Sequence, residues 1–150
     1  MDLALREAED AFARGDWPVG SVLVRDGVVL ATGQNRQNTE RDVTWHAEFE
    51  AMRRVTRDHG LEKLAGATVY STMEPCPMCA GALVNARVRR LYFGCDDPKA
   101  GAVRTLFNLT EDSRLNHRVE VFPGVLAAEG AALLRGFFSR LRQPEGRDRG

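Results

Sequence analysis

Short apolar runs rich in β-branched residues alternate with segments of helical periodicity along most of the 150-residue chain. Such alternation is typical of an α/β domain, in which helices cover a sheet. After an opening helix, the order β-β-α-β-α-β-(α)-β-α predicts a mixed sheet of about five strands with helices on both faces. The predicted helices contain Leu5–Phe12, Ala47–Val55, Pro77–Asn85 and Glu129–Leu141, and the predicted strands are Val19–Val24, Val28–Ala31, Ala67–Ser71, Val88–Phe93 and Val119–Phe122.

Local turn and capping signals mark the ends of several segments. Asp26-Gly27 lies between two apolar runs and predicts the two-residue turn of a β-hairpin. Residues 33–44 are polar and predict a loop. The next helix then begins after Asp42 or Thr44, because either side chain can cap the free N–H groups of a first turn.

Length and charge distribution set limits on domain number and on partners. A length of 150 residues, of which 43% are hydrophobic, fits one globular domain. We expect this domain over residues 1–142 and a flexible tail over residues 143–150. The 21 basic and 21 acidic residues cancel, yet five acids and two bases fall in residues 1–20, whereas five arginines and two acids fall in residues 131–150. A net charge of zero is therefore compatible with a local basic surface that contacts nucleic acid.

Three features of the sequence predict a cytoplasmic protein. No apolar run approaches the ~20 residues that a membrane span needs, so no membrane partner is expected. The three cysteines, an odd number, do not suggest the disulfide framework of a secreted protein. Residues Met1 to Ala13 mix acids with apolar residues and lack the apolar centre of a signal peptide.

Two short motifs combine into a candidate metal site. His46-Ala47-Glu48 falls in the first turn of one predicted helix, and Cys76 and Cys79 begin the next, where positions i and i+3 share a face. One imidazole and two thiolates are three ligands for zinc, which leaves an open position for a water molecule of lowered pKa. Glu48 lies two residues from a ligand, so it can move protons without binding the metal.

Other roles are possible for the same residues. The two cysteines could form a redox dithiol, although a dithiol does not explain His46 or Glu48. A structural zinc site would need a fourth ligand, for which the sequence offers Cys95, His59 and His117. We instead expect Cys95 to be a buried free thiol.

The pattern H-x-E followed by P-C-x-x-C resembles the signature of zinc-dependent base deaminases. The chain resembles the cytidine deaminase superfamily from about Ala4 to Arg142, and within it is most similar to the bacterial tRNA-specific adenosine deaminases. The resemblance extends beyond the metal motif to other blocks, which are Pro18-Val19-Gly20, Asp97–Ala102, Asn116-His117, Gly124-Val125-Leu126 and Phe137-Phe138.

The resemblance implies a three-layer α/β/α fold and hydrolytic deamination of adenosine to inosine at the wobble position of an arginine tRNA. It places one Zn²⁺ per chain on His46, Cys76 and Cys79, and proton transfer on Glu48. It implies a homodimer that binds the tRNA anticodon loop, whose unstacked bases can enter a pocket. Asn35 is the implied contact to the target base, and the implied contacts near the anticodon are Asp97, Lys99, Asn116, Phe138 and Arg142.

Trp45 departs from the family, which usually has alanine directly before the histidine ligand. Its indole could narrow the pocket or stack on a base, so we include it among the predicted substrate contacts. It could equally be an aromatic residue of the core or of a dimer interface. We expect Trp17 to pack under the first helix rather than to bind substrate.

Two other functions remain as alternatives. A deaminase of a free nucleobase or nucleoside, such as guanine or cytosine, would use the same zinc chemistry, and Trp45 favours a small substrate. A non-catalytic zinc protein that binds RNA would not need the retained Glu48. The Asp97–Ala102 block and the positively charged C-terminal helix with Phe138 and Arg142 favour the RNA substrate.

Overall fold

The computed structural model describes residues 1–143 and contains one five-stranded sheet with helices on both faces. The strand order is β2-β1-β3-β4-β5; β1 is antiparallel to both of its neighbours, and β3, β4 and β5 are parallel. This arrangement confirms the predicted mixed α/β sheet. The elements are α1 (Asp2–Arg14), β1 (Gly20–Arg25), β2 (Val28–Gln34), α2 (Gln37–Glu40), α3 (Ala47–His59), a 3-10 turn (Leu61–Lys63), β3 (Thr68–Met73), α4 (Pro77–Asn85), β4 (Arg90–Cys95), β5 (Glu120–Phe122) and α5 (Ala127–Arg142).

Two glycines show how helices approach the sheet from opposite sides. Ser21 of β1 pairs with Gly33 of β2, so Gly20 and Gly33 face opposite sides of the sheet. A Cβ atom on Gly20 would lie 2.0 Å from the Ala4 carbonyl oxygen of α1, and one on Gly33 would lie 2.1 Å from the Ala47 carbonyl oxygen of α3. Only glycine permits such close backbone contact. Helix α5 lies on the same face of the sheet as α1, where the ring of Phe137 contacts that of Phe12.

The main core lies between the sheet and helices α3 and α4. It contains fully buried residues such as Leu23 of β1, Val55 of α3, Leu83 of α4, and Leu91 and Phe93 of β4. Their burial holds the N-terminal ends of α3 and α4 at the carboxyl ends of the parallel strands, which is where sites form in α/β folds.

The polar segment before α3 differs from the predicted loop because a distant carboxylate caps part of it. Residues Gln37–Glu40 form the short helix α2. The backbone N–H groups of Asn38 and Thr39 each donate to Asp16 Oδ1 at 2.9 Å. Asp16 precedes β1, so the residues next to α2 do not reveal this cap.

The predicted N-caps of α3 were wrong. The cap residue is His46, whose φ of −84° and ψ of 154° are extended. The Asp42 carboxylate instead accepts hydrogen bonds from the backbone N–H and hydroxyl of Thr44, at 2.8 and 2.7 Å, and forms a turn before the helix. His46 therefore lies one residue before the first helical turn.

The optional helix that the sequence predicted between the last two strands is absent, since residues 96–119 form turns and irregular structure. The predicted tail, residues 143–150, lies outside the described residues apart from Gln143. Among the described residues, no helix has both the length and the apolar character needed to cross a membrane.

Candidate metal centre and substrate cavity

The three predicted metal ligands converge at the N-terminal ends of α3 and α4. His46 caps α3, Cys76 caps α4, and Cys79 lies in the first turn of α4. His46 Nδ1 lies 3.5 Å from Cys76 Sγ and 3.5 Å from Cys79 Sγ, and all three donor atoms lie within 4.8 Å of one another. Tetrahedral zinc bonds to nitrogen and sulfur would hold such atoms about 3.6 Å apart. The donor set and its spacing therefore fit a zinc ion.

The possible fourth ligands lie elsewhere in the described part of the chain. His59 Nε2 contacts the Leu30 carbonyl oxygen at 3.2 Å, and His117 Nε2 contacts the Val88 carbonyl oxygen at 2.6 Å. The half-buried thiol of Cys95 contacts a backbone oxygen of β3 and is not part of the cluster. Within residues 1–143 the group has three ligands, which is the pattern of catalytic rather than structural zinc.

Hydrogen bonding within the cluster gives the two thiols different pKa values. Hydrogen bonding with Cys79 lowers the pKa of Cys76 to about 4; burial opposes this shift, and the bond with His46 adds to it. The same contact raises the pKa of Cys79 well above its ordinary value, and burial adds to that rise. The bond with Cys76 also raises the pKa of His46. Cys76 is therefore a thiolate at neutral pH, which is the form that binds metal.

Glu48 lies next to the ligands, in the first turn of α3. Its side chain is buried, and burial raises the pKa of its carboxyl group. Ser71 Oγ lies 2.8 Å from Glu48 Oε1, and Glu48 Oε2 lies 3.6 Å from Cys79 Sγ. One carboxylate oxygen is thus held by β3 while the other faces the cluster. A buried carboxyl group in this position suits a residue that both accepts and donates a proton.

A cavity of about 280 Å³ opens beside the cluster. Its volume is near the lower end of the range of small-molecule sites, about 300–1,000 Å³. The residues around it are Trp17, Val19, Asn35, Gln37, His46, Ala47, Glu48, Met73, Glu74, Cys76, Asp97 and Ala100.

Asn35 lies in the cavity wall and is held on every side. The Asn35 backbone N–H donates to the Val19 carbonyl oxygen at 3.0 Å, and the Asn35 carbonyl oxygen accepts from Arg14 Nη2 at 2.9 Å. Its Nδ2 donates to Gln37 Oε1, and Gln37 N–H donates to its Oδ1. The amide is thus fixed before any ligand binds. Its contact with the target base stays a prediction.

Glu74 organises the opposite wall, a role that the sequence did not indicate. Its Oε1 accepts from the N–H groups of Val103, Arg104 and Thr105, at 3.2, 2.8 and 2.9 Å. Its Oε2 accepts from the Asp97 N–H at 3.0 Å and from the Thr105 hydroxyl. The side chain is almost fully buried, and these bonds outweigh burial so that the pKa of Glu74 is lowered. The only available signal was an acid directly before Pro75-Cys76.

The predicted contacts near the anticodon fall into three places. Asp97 lines the catalytic cavity. Lys99, Phe138 and Arg142 line a separate groove of about 410 Å³. Asn116 lies away from both, because its carbonyl oxygen accepts from Arg87 Nη1 at 3.0 Å, near the start of β4, whereas Asp97 follows the end of that strand. A single chain therefore does not bring Asn116 to the cavity.

The two tryptophans lie in different surroundings. Trp45 does not line the cavity; the Arg53 guanidinium lies over its ring at 5.8 Å from the centroid. Trp17 does line the cavity, and its ring centroid lies 5.3 Å from that of Phe137 and 5.4 Å from that of Phe138. Trp17 thus packs on α5, whose Phe137 contacts Phe12 of α1, and also faces the cavity; whether it binds substrate stays a prediction.

Comparison with known proteins identifies the family of the chain. The family model described as MafB19-like deaminase matches residues 1–142. The chain belongs to this deaminase family. It is 43% identical to the tRNA-specific adenosine deaminase of Bacillus subtilis over 95% of the chain and 89% of the relative. It is 44% identical to the enzyme of the same name from Agrobacterium fabrum, over 95% of the chain and 93% of the relative.

Solved structures of deaminases superpose on the chain. A structure from a study of tRNA:A34 deaminases that edit the wobble position is 44% identical, with a TM-score of 0.85 over 89% of this chain and 97% of the other. It confirms the predicted α/β deaminase fold and the resemblance to bacterial tRNA adenosine deaminases. A guanine deaminase from Nitrosomonas europaea is 20% identical, with a TM-score of 0.77 over 92% of this chain and 82% of the other, and shows the fold alone.

Proposed function

We propose that the chain is a zinc-dependent deaminase that converts adenosine to inosine at the wobble position of a tRNA anticodon loop. The observation that carries the proposal is the convergence of His46, Cys76 and Cys79 beside the buried Glu48, at one side of a cavity. The tRNA-specific adenosine deaminases among the relatives support the choice of substrate.

One Zn²⁺ per chain would be held by His46 Nδ1 and by the sulfurs of Cys76 and Cys79, where it would lower the pKa of a water molecule for attack on the base. Glu48 Oε2 is the atom nearest the cluster that can accept a proton and return it. Its carboxyl group would carry two protons in turn, one from the attacking water to the ring nitrogen and one from the hydroxyl group that this water leaves on the base to the departing amino group, and its raised pKa favours each protonated form. The Ser71 hydroxyl holds the other oxygen, so the carboxyl group keeps one orientation throughout.

The walls of the cavity position the base and exclude water. Asn35 supplies an amide whose two ends are already oriented, and it suits hydrogen bonding to the edge of a nucleobase. The Glu74 carboxylate accepts from the Asp97 N–H and so holds the part of the cavity wall that contains Asp97. A base must leave the stack to enter such a cavity, and the bases of an anticodon loop do so at low cost.

The second groove suits the backbone of the same RNA. It carries Lys99, Arg135 and Arg142 beside the exposed ring of Phe138. Cations and an aromatic face are the groups that bind phosphates and unstacked bases. Asn116 lies away from the cavity of its own chain, so its predicted RNA contact suits a homodimer in which a second copy presents it. The cytoplasmic location stays a prediction.

The test is inosine formation in an arginine anticodon hairpin that carries a wobble adenosine, with zinc-loaded protein. Glu48→Gln is the matched control, because it keeps the shape of the side chain and removes its proton transfer. We expect inosine at that base alone and none from the variant. Turnover of guanine, cytosine or a free nucleoside with no reaction on the hairpin would establish the alternative function. Zinc binding without any turnover would indicate a non-catalytic protein.

A further inference from the structure

Trp17 stands between two cavities. Its indole lines the catalytic cavity, and it contacts Phe138, whose ring lines the basic groove. The two ring planes meet at 81°, so they form a corner rather than a stack. The loop that follows β4 joins the cavities at a second point, because Asp97 and Ala100 line the first and Lys99 lines the second. The catalytic cavity and the groove are therefore neighbours that share the Trp17–Phe138 corner.

The groove beyond this corner suits a polyanion with flat apolar groups. Counted over residues 1–143, three of its five lining residues are the cations Lys99, Arg135 and Arg142, and none is acidic. The other two are Phe138 and Leu141, which are 39% and 63% exposed. A nucleotide has this combination of a charged phosphate and a flat base. A free nucleobase that fills the catalytic cavity would leave the groove empty.

The corner is stiff. Trp17 also contacts Phe137, which is buried and continues the same aromatic cluster towards Phe12 of α1. An indole packed on two rings loses little rotamer freedom when a base stacks on it. The entropy cost of ordering this side chain on binding is therefore small.

We propose that Trp17 is a specificity-determining residue: its indole separates the target base from the basic groove and stacks on the nucleobase next to the target. This inference rests on the proposed function and adds a requirement for a neighbouring base. It also assigns Arg135 to the phosphate on the groove side. The site then accepts a base within a strand and discriminates against the same base when it is free.

The test uses the zinc-loaded enzyme and three anticodon hairpins: the intact hairpin, and two in which the nucleotide directly 5′ or 3′ of the target lacks its base. We expect Trp17→Ala to raise KM for the intact hairpin about ten-fold with a smaller change in kcat, because one aromatic–base contact is lost. For one of the two abasic hairpins, wild type and Trp17→Ala should have the same KM. Trp17→Phe should recover most of the loss.

A control variant separates stacking from packing. Phe137→Leu removes a buried ring from the far side of Trp17, so it should lower the melting temperature without abolishing the difference between intact and abasic hairpins. If Trp17→Ala changes KM by the same factor for all three hairpins, Trp17 only supports the fold and the inference is overturned. An unchanged KM for the intact hairpin overturns it as well.

Fluorescence gives a readout that does not depend on turnover. The chain has two tryptophans, so Trp45→Phe leaves Trp17 as the only indole. Stacking predicts that the intact hairpin quenches this emission and that one abasic hairpin does not. Equal emission with all three hairpins would refute the contact even though the hairpin is deaminated. Absence of deamination by wild type refutes the proposed function instead, and the inference with it.

Discussion

Replacing Glu74 with glutamine tests whether one buried carboxylate holds a wall of the cavity. Glutamine has the same shape but only one accepting oxygen. It can keep the three bonds at the Oε1 position, whereas the NH₂ group at the Oε2 position would face the Asp97 N–H and the Thr105 hydroxyl. Two bonds to a charged acceptor are lost, each worth about 1.5–3 kcal/mol before relaxation. Since the hydroxyl can rotate and accept instead, we expect a net loss of about 2–4 kcal/mol in the free energy of unfolding.

Thermal unfolding of zinc-loaded protein at pH 7 measures this effect. A loss of about 3 kcal/mol should lower Tm by roughly 6–12 °C in a chain of this size. Glu9→Gln, on an exposed position of α1, is the matched control and should leave Tm unchanged. A Tm for Glu74→Gln within 1–2 °C of wild type, on the order of the surface-substitution range, would refute the assignment of Glu74 as the support of the loop.

The same variant gives a pH test whose sign follows from the lowered pKa of Glu74. Burial alone would raise that pKa, but the bonds from Thr105 and from the backbone lower it below the ordinary value of 4.5. The charged form therefore stabilises the fold above the unfolded-state value of 4.5, and this stabilisation is lost as pH falls through the folded-state value. The Tm difference between wild type and Glu74→Gln should be full at pH 7 and shrink below pH 4.5. A difference that is constant from pH 7 to pH 3 contradicts the argument.

Three further substitutions have expected outcomes. Asp16→Asn removes the charged acceptor that caps α2, and in urea unfolding it should cost about 2 kcal/mol; an unchanged midpoint would show that the cap is dispensable. Gly33→Ala places a Cβ atom 2.1 Å from the Ala47 carbonyl oxygen, so we expect poor folding or a large fall in Tm, and a normal Tm would disprove the close contact. Ser71→Ala frees one oxygen of Glu48 and should lower kcat about ten-fold with zinc content unchanged; loss of zinc in proportion to activity would argue for a structural role instead.

Features with local causes could be predicted from the sequence. The helix Pro77–Asn85 has the predicted bounds, since proline suits a first turn and the apolar residues that follow it continue the helix. Asp26-Gly27 forms the turn between β1 and β2, because both residues tolerate the positive φ of 51° and 75° that they adopt. The placement of His46 and of the Cys76 pair at helix starts could also be predicted, whereas their convergence comes from the packing of α3 and α4 on the sheet.

Features that depend on distant partners could not be predicted. The cap of α2 comes from Asp16, which is 22 residues away from Asn38. Trp17 lines the cavity because Phe137 and Phe138 of α5 pack against it, a contact that links the two ends of the chain. The residues around Asn116 do not indicate that it lies near the start of β4, at the end of the strand away from the cavity. In each case the tertiary partner, not local propensity, determines the role of the residue.

The close approach of α1 at Gly20 and of α3 at Gly33 has a consequence for hydrogen exchange. Strand β1 is hydrogen-bonded to β2 on one side and to β3 on the other, and both of its faces are covered by helices. Its amide protons can reach solvent only when the whole domain opens, so they should exchange with deuterium at the rate of global unfolding. Within residues 1–143, the three-residue strand β5 pairs only with β4, and its amides should exchange through local fraying. Amide exchange followed residue by residue would thus report the free energy of unfolding in β1, and only the local opening of the sheet edge in β5.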